Sequence, residues 1–269
     1  GNTFIKVPLD YLSWSYRKIL ILEQLQRIDA DLICLQGVDH YHDFLQPSFQ
    51  RDGYHSIFVV RPHSKCLKSV SNNGSDGIAL LYNTKCLELV KKKEIILPTN
   101  DPALSNSNQV TILASFQTSS NNKICVVATG FKEGYFLVQT RLLQGDYIFD
   151  QIREFAGDLP LICCGNFNAG PKELVYGHFS SSKPPVSSSA YKREGSEPNF
   201  TVWKCSASGN VKLPADYIWY SSQSLKLVSI LDIPPEDVIG CSGLPCQHYP
   251  SHHIALDTPK SMLVTISEV

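Results

Sequence analysis

Two segments with helical periodicity each lead into a short apolar run, and this repeated pairing constrains the fold more than any other feature. Apolar side chains recur at helical spacing over residues 12–28, and the apolar run 32–35 follows. The same spacing over 138–152 precedes the apolar run 161–164. Short apolar runs bounded by turn residues are typical of strands that are buried on both faces. The pattern therefore predicts helices layered against buried β-strands.

Further apolar or alternating runs predict the remaining strands. They lie at residues 56–60, 78–82, 110–116, 124–129, 217–220, 225–231 and 262–266. A second helix is predicted over about 39–50, and the Ser- and Pro-rich segment 180–189 is predicted to be an exposed loop. Because strands outnumber helices and the helices fall between groups of strands, we expect an α/β fold, a two-sheet sandwich with outer helices. With 269 residues and no repeat or linker, a single domain over residues 1–269 is predicted.

Charge and cysteine content limit the classes of function. The 24 basic and 25 acidic side chains give a net charge of −1, so no overall field attracts nucleic acid and any phosphate binding must be local. Cys34, Cys163 and Cys164 lie inside apolar runs, which predicts buried, reduced thiols and an intracellular protein of the cytoplasm or nucleus. No segment has the length of a membrane span or the pattern of a signal peptide, so no membrane partner is expected.

Polar residues cluster at the ends of the predicted strands, where the functional loops of layered α/β proteins emerge. The segments are Gln36-Gly37-Val38-Asp39-His40, Thr129-Gly130-Phe131-Lys132, Gly165-Asn166-Phe167-Asn168-Ala169, Ala215-Asp216-Tyr217 and Ser251-His252-His253. We therefore expect a candidate site at these strand ends.

In this order along the chain, these segments resemble the endonuclease/exonuclease/phosphatase superfamily, in particular its deadenylase branch. Family members have Leu-Gln-Glu-Val-Asp, Gly-Asp-Phe-Asn-Ala and Ser-Asp-His where this chain has residues 35–39, 165–169 and 251–253. The likeness extends to 39–41, 72–77 and 216–220, and so covers nearly the whole chain. The resemblance implies a two-sheet α/β sandwich whose loops converge on a divalent-metal phosphoesterase site, in which a His oriented by an Asp stabilises the phosphate.

The chain departs from the family pattern at four functional positions. Gly37 stands where the family has its metal-binding Glu, and Asn166 stands where an Asp activates water. Gly130 replaces a His, and His252 replaces the Asp of Ser-Asp-His, where an orienting carboxylate is expected. The family's first strand, which carries an Asn, is expected before residue 1, and the lack of an initial Met predicts a trimmed N-terminus.

Other positions keep the residue types of the family. The resemblance implies that Asn168, Asp216 and His253 are remnants of the catalytic site. It also implies that Arg61, Asn73 and Lys132 contact substrate phosphate, although Gly134 stands where a further Arg is expected. Each remnant also has a structural interpretation: a loop hydrogen bond for Asn168, a strand-edge cap for Asp216 and a hydrogen-bonded imidazole for His253.

These departures predict a pseudoenzyme. Because Asp216 is the one carboxylate among the matched positions, we expect no metal ligands, and four losses from a cooperating set leave little hydrolysis. We interpret the chain as a nuclease-family protein that acts as a protein-interaction scaffold and binds RNA or NADP(H) weakly. The alternative is a weak Mg²⁺-dependent phosphoesterase, a 2′-phosphatase of NADP(H) or a poly(A) 3′-exonuclease. This alternative requires the family's first strand to supply ligands and a further carboxylate, such as Asp39, to replace Gly37.

Three further groups of residues have both a functional and a structural interpretation. The run Lys91-Lys92-Lys93 is expected at a solvated strand edge. Four aromatic side chains are expected to pack in the core rather than to stack on bases: Trp203, Tyr217, Trp219 and Tyr220. Four nitrogen and sulfur donors lie close together near the C-terminus: Cys241, Cys246, His248 and His252. Their spacing is not that of a usual zinc site.

Overall fold

The structure is a computed structural model that describes residues 6–69, 73–100, 108–181, 188–206, 209–258 and the backbone of 263–267. Its first sheet has the strand order β12-β13-β1-β3-β2. The strands are β1 (Leu32–Val38), β2 (Tyr54–Val60), β3 (Gly77–Asn83), β12 (Leu256–Thr258) and β13 (Leu263–Ser267). Strand β1 runs parallel to β13 and antiparallel to β3.

The second sheet has the strand order β4-β5-β6-β7-β11-β8. Its strands are β4 (Leu87–Ile96), β5 (Val110–Thr118), β6 (Lys123–Gly130), β7 (Leu161–Asn166), β8 (Ser188–Ser189) and β11 (Asp216–Tyr220). Strands β6 and β7 are parallel, and β11 pairs antiparallel with β7. A separate two-stranded ribbon consists of β9 (Val202–Ser206) and β10 (Gly209–Leu213).

The helices connect the strands and cover the outer faces of the sheets. They are α1 (Leu9–Leu12), α2 (Trp14–Ile28), α3 (Gln46–Arg51), α4 (Val138–Ala156), α5 (Leu174–Ser180) and α6 (Glu236–Ile239). A π-helical turn, Tyr41–Leu45, precedes α3, and a 3₁₀ turn spans Lys65–Lys68. Among the described residues, no helix combines the length and apolar character that crossing a membrane requires.

The two sheets pack face to face, which confirms the predicted α/β sandwich. In β1, Leu32 and Cys34 lie in the core between the sheets, whereas Ile33 and Leu35 pack under α2 and α3 on the outer face. In β7 the even-numbered residues face the same central core, and the odd-numbered ones pack against α4 and α5. Alternate residues of a strand point to opposite faces, so strands covered on both faces are continuously apolar.

Most predicted elements are confirmed, and one strand is wrong. Residues 225–231, all of them described, form no strand, although Leu225, Leu227 and Ile230 pack on the central core. Their alternation reflects contact with the core without a partner strand for hydrogen bonding. The β9–β10 ribbon was not predicted. Residues 182–187 of the predicted loop and Met262 of the last predicted strand lie outside the described residues.

The Lys91–Lys93 run lies on β4, at the edge of the second sheet, as predicted. Lys92 forms an ion pair with Glu94 at 2.7 Å, and Lys93 forms one with Glu154 at 3.0 Å. Lys91 instead donates a 2.6 Å hydrogen bond to the carbonyl of Phe155. Charged side chains on an edge strand discourage pairing with another chain, so the run needs no ligand to explain it.

The predicted buried thiols are confirmed. Cys34, Cys163 and Cys164 are fully buried, and none of them forms a disulfide. Burial raises the pKa values of the Cys163 and Cys164 thiols well above the ordinary value of a cysteine. These groups therefore stay protonated and unreactive at neutral pH.

Candidate functional site

A cleft of about 500 Å³ opens where the carboxyl ends of strands from both sheets meet. Gln36 and Gly37 line it from the end of β1, Gly130 from the end of β6 and Asn166 from the end of β7. Gly130 pairs with Asn166 in the sheet, and Asp216 lies opposite Asn166 on the other side. The fold thus brings together strand ends that are far apart in sequence, as the motifs predict.

A close approach of β6 and β7 positions Asn166. The preceding residue, Gly165, has a φ of +141°, and a Cβ there would overlap the carbonyl oxygen of Thr129. Only glycine fits this position. The glycine thereby allows Asn166 to pair beside Gly130 at the floor of the cleft.

The end of β1 has a backbone conformation that suits glycine. Gly37 has a φ of +68°, and the pairing of β1 with β3 shifts register between Gln36 and Val38. This bulge places position 37 in the left-handed region, which L residues other than Asn and Asp seldom adopt. The lost glutamate is therefore accompanied by a backbone that disfavours any side chain at this position.

The two asparagines at the end of β7 and in the loop after it form hydrogen bonds that hold their own segments. The side-chain oxygen of Asn166 accepts a 2.8 Å hydrogen bond from the backbone N–H of Asn168. The side-chain nitrogen of Asn168 donates a 2.9 Å hydrogen bond to the carbonyl of Phe131. Asn168 itself has a φ of +49°. Both side chains line the cleft, but these amide groups are engaged in holding the β6 and β7 loops together.

Asp216 and His253 form a buried hydrogen-bonded pair. Each is 3% exposed, and the Asp216 Oδ2 atom accepts bonds of 2.8 Å from His253 Nδ1 and from the Thr201 hydroxyl. A proton on Nδ1 leaves His253 Nε2 as the acceptor nitrogen, and Nε2 is buried without a hydrogen-bond partner among the described residues. Position 252 carries no carboxylate, and Asp216 is the carboxylate that orients the imidazole of His253.

His252 faces the cleft in place of His253. The two rings lie 4.4 Å apart between centroids, at an interplanar angle of 59°. His252 lines the cleft, whereas neither His253 nor Asp216 is among the described residues that line it. Of the two histidines, His252 is therefore the one that contributes to the described cleft lining.

Of the three residues predicted to contact phosphate, two line the cleft: Arg61 and Lys132. Arg61 forms a 2.7 Å ion pair with Asp76, and the ammonium of Lys132 donates a 2.9 Å hydrogen bond to the side chain of Asn108. The sequence analysis missed two further cations that line the cleft, Arg17 and Lys65. They lie outside the family motifs, and no local pattern sets them apart from solvated basic residues.

Asn73 lies at the rim rather than in the cleft. Its side chain is exposed and donates a 2.7 Å hydrogen bond to His40 Nε2. The His40 ring stacks on Trp14 with centroids 4.0 Å apart, and both rings line the cleft. The structure therefore assigns Asn73 a contact with a cleft-lining ring.

The donor set of the cleft does not fit a divalent metal ion. Mg²⁺ is usually held by one or two carboxylates together with water and substrate oxygens. Asp76 is paired with Arg61, and Glu133 forms a 3.0 Å ion pair with Lys204, which leaves Asp39 as the remaining acidic side chain in the described lining. No group of three or more His, Cys, Asp or Glu side chains in the described part of the chain has the arrangement of a metal site.

The absence of a metal-binding group in the described residues extends to the sulfur and nitrogen donors near the C-terminus. All four candidate zinc donors lie in the described part of the chain, and they do not form a ligand group. Cys241 is exposed, whereas Cys246 and His252 are buried.

The aromatic residues singled out in the sequence belong mainly to the core. Tyr217 and Trp219 are almost fully buried in the layer beneath α4 and α5. Trp203 is buried in a fourth cluster, with the ammonium of Lys212 lying 3.7 Å from its ring centroid. Tyr220 is half-buried against the central core. These rings are not stacking surfaces of the cleft.

Comparisons with known proteins agree with the motifs. The Endonuclease/Exonuclease/phosphatase family profile matches residues 2–253. Nocturnin of Rattus norvegicus is 38% identical over 262 residues, which cover 95% of this chain and 60% of the relative. The exoribonuclease subunit Ccr4 of the CCR4-Not complex of Yarrowia lipolytica is 26% identical over 311 residues, covering 93% of this chain and 44% of the relative. The chain therefore spans about 60% of the length of the rat nocturnin it matches.

The structural comparison gives the same result. The solved human nocturnin catalytic domain with a bound sulfate anion superposes with a TM-score of 0.80 and 35% identity, covering 94% of this chain and 88% of that domain. The likeness thus includes both the sequence motifs and the two-sheet architecture. The predicted resemblance, with nocturnin among the similar proteins, is confirmed.

Proposed function

This chain belongs to the endonuclease/exonuclease/phosphatase family, and we propose that within it the chain is a nocturnin-like pseudoenzyme that acts by binding. The observation that carries the proposal is the cleft floor, where a glycine and an engaged amide occupy the positions of the expected metal ligand and base. Gly37 offers no ligand atom, and the amide of Asn166 cannot accept a proton from water. Neither substitution is compensated by a cluster of acidic side chains in the described residues.

The Asp216–His253 pair does not by itself supply hydrolysis. A His that stabilises a phosphate must present its free nitrogen to the ligand. His253 Nε2 is buried, and His253 is not among the described residues that line the cleft. The pair therefore supports a structural role for both residues. Their hydrogen bond connects the segment around position 253 to β11.

Without hydrolysis, the remaining capacity of the molecule is recognition. We propose that it serves as a protein-interaction scaffold whose cleft also takes RNA or NADP(H). Arg61, Lys65 and Lys132 give the cleft the cations that a phosphate requires, and the related human domain holds a sulfate anion. Gly37 and Asn166 carry no charge, so at these two positions no carboxylate repels the anion.

The second candidate is a weak Mg²⁺-dependent phosphoesterase, a 2′-phosphatase of NADP(H) or a poly(A) 3′-exonuclease. One observation favours it: Asp39 lines the same cleft as Gly37, two residues further along the chain. This candidate requires further ligands from water or from outside the described residues.

Product release from NADPH and from poly(A) RNA, with Mg²⁺ or Mn²⁺, separates the two candidates. The matched control is Asp216→Asn, which keeps the shape of the buried side chain. The proposal expects equal, background rates for the two proteins. Metal-dependent turnover that is lost in Asp216→Asn contradicts it, and loss in Asp39→Ala as well would identify Asp39 as the substitute ligand.

A further inference from the structure

The loop between β6 and α4 presents two aromatic side chains to solvent. Tyr135 is 87% exposed and Phe136 is 91% exposed, the highest values among the large apolar side chains in the described part of the chain. Their rings lie 5.2 Å apart at an interplanar angle of 88°. Aromatic side chains of this size are normally covered, and adjacent uncovered rings are typical of a binding surface.

A buried arginine fixes the shape of this loop. Arg141 is 2% exposed, and its guanidinium donates hydrogen bonds of 3.1 Å and 2.7 Å to the carbonyls of Lys132 and Gly134. Glu173 holds the same guanidinium through contacts of 2.8 Å and 2.9 Å. The backbone that carries the two rings is therefore braced from within. Bracing reduces the entropy that ordering a loop costs when a ligand binds.

The aromatic pair lies beside the cleft. Lys132 and Glu133 line the cleft, and Tyr135 follows Glu133 by two residues. Consecutive Cα atoms are 3.8 Å apart, so the Cα atoms of Glu133 and Tyr135 are at most about 7.6 Å apart. Exposed rings next to a cationic groove are the combination that binds single-stranded nucleic acid, because the rings stack with bases and the cations hold phosphates.

We propose that Tyr135 and Phe136 form a base-stacking subsite at the mouth of the cleft for an unpaired base of single-stranded RNA. The phosphates of the same strand lie against Lys132 and Arg61. The inference rests on the proposed function, since a strand that is bound but not cleaved remains in place. RNA is favoured over a protein partner because Lys132, which precedes the pair, lines the cleft together with Arg61 and Lys65, and these cations suit the phosphates of a nucleic acid strand.

Fluorescence anisotropy with two labelled probes in excess EDTA tests the subsite. One probe is a short oligoadenylate, and the other is an abasic ribose-phosphate oligomer of the same length. Tyr135→Ala/Phe136→Ala is expected to weaken oligoadenylate binding about ten-fold and to leave binding of the abasic probe unchanged. Tyr135→Phe is expected to bind like the wild type, because the ring is retained. Tyr147→Ala, at a ring 36% exposed on α4, is the matched control and is expected to change neither affinity.

Other outcomes contradict the proposal. Equal weakening of both probes, or no weakening of either, overturns base stacking. Failure of the wild type to bind oligoadenylate also overturns it and assigns the aromatic pair to a protein partner instead. The same mixtures, run on a gel after replacement of EDTA by Mg²⁺, report cleavage. Cleaved RNA refutes the proposed function, while the probe comparison in EDTA still decides the stacking subsite.

Discussion

Removal of the Asp216 carboxylate is predicted to cost substantial stability, although the residue stands at a position that the family uses for catalysis. The carboxylate accepts two hydrogen bonds of 2.8 Å in a site that is almost closed to water. A hydrogen bond to an ionised group contributes about 1.5–3 kcal/mol. Because Asp216→Ala removes both bonds, we expect it to lower the free energy of unfolding by about 3–6 kcal/mol.

Urea denaturation at neutral pH, followed by tryptophan fluorescence, measures this loss. Asp216→Asn keeps an acceptor oxygen for His253 and Thr201 and loses only the charge, so about 1–2 kcal/mol is expected. Lys93→Ala breaks an exposed ion pair and serves as the control, with a change within about 0.5 kcal/mol. A loss below about 1 kcal/mol in Asp216→Ala would refute the structural role of the pair.

Two further predictions concern other buried groups. Burial raises the pKa of Asp257 from 3.8 to about 6, so the folded protein binds the proton more tightly than the unfolded chain. This contribution to stability is complete below about pH 4 and is lost as pH rises to about 6, for a total of about 3 kcal/mol. Asp257→Asn should remove this pH dependence from unfolding curves measured between pH 4 and about 6. An unchanged pH dependence in the variant would contradict the prediction. Gly165→Ala should prevent soluble folding, because its Cβ would overlap the Thr129 carbonyl, whereas Gly170→Ala, with open space around it, should fold normally by circular dichroism.

Strand and helix periodicity predicted most of the architecture, because both faces of β1 and β7 are covered by apolar layers. The same rule failed at 225–231, where Leu225, Leu227 and Ile230 contact the core but no neighbouring strand is available. Side-chain alternation indicates burial on one side, and it does not establish hydrogen bonding to a partner. A sequence alone does not distinguish the two cases.

The site was predicted less completely, because its contacts join distant segments. Motifs identified Asp216 and His253 as separate remnants, but only the pairing of β11 with β7 and the fold around Val202 bring the two together. The contact by which Asp216 orients His253 was not predicted for the same reason. The bulge at Gly37 depends on pairing with β3, which the one-dimensional pattern does not contain.

Exposure was the other quantity that the sequence did not provide. Tyr135 and Phe136 continue an apolar-looking segment that ends at Val138, and nothing in their spacing predicts solvent exposure. The buried Arg141 and its carbonyl contacts explain how the loop keeps them outside the core. The candidate stacking subsite therefore follows from the structure and not from any motif.

The most direct test of the central claim is a Mn²⁺ titration of the protein, followed by electron paramagnetic resonance of the free ion. A cleft lined by Gly37, Asn166 and His252 should bind no ion, so the free signal should rise in proportion to the added Mn²⁺. Saturable binding of one ion per chain, lost in Asp39→Ala, would contradict the account and show that the cleft has kept a metal site.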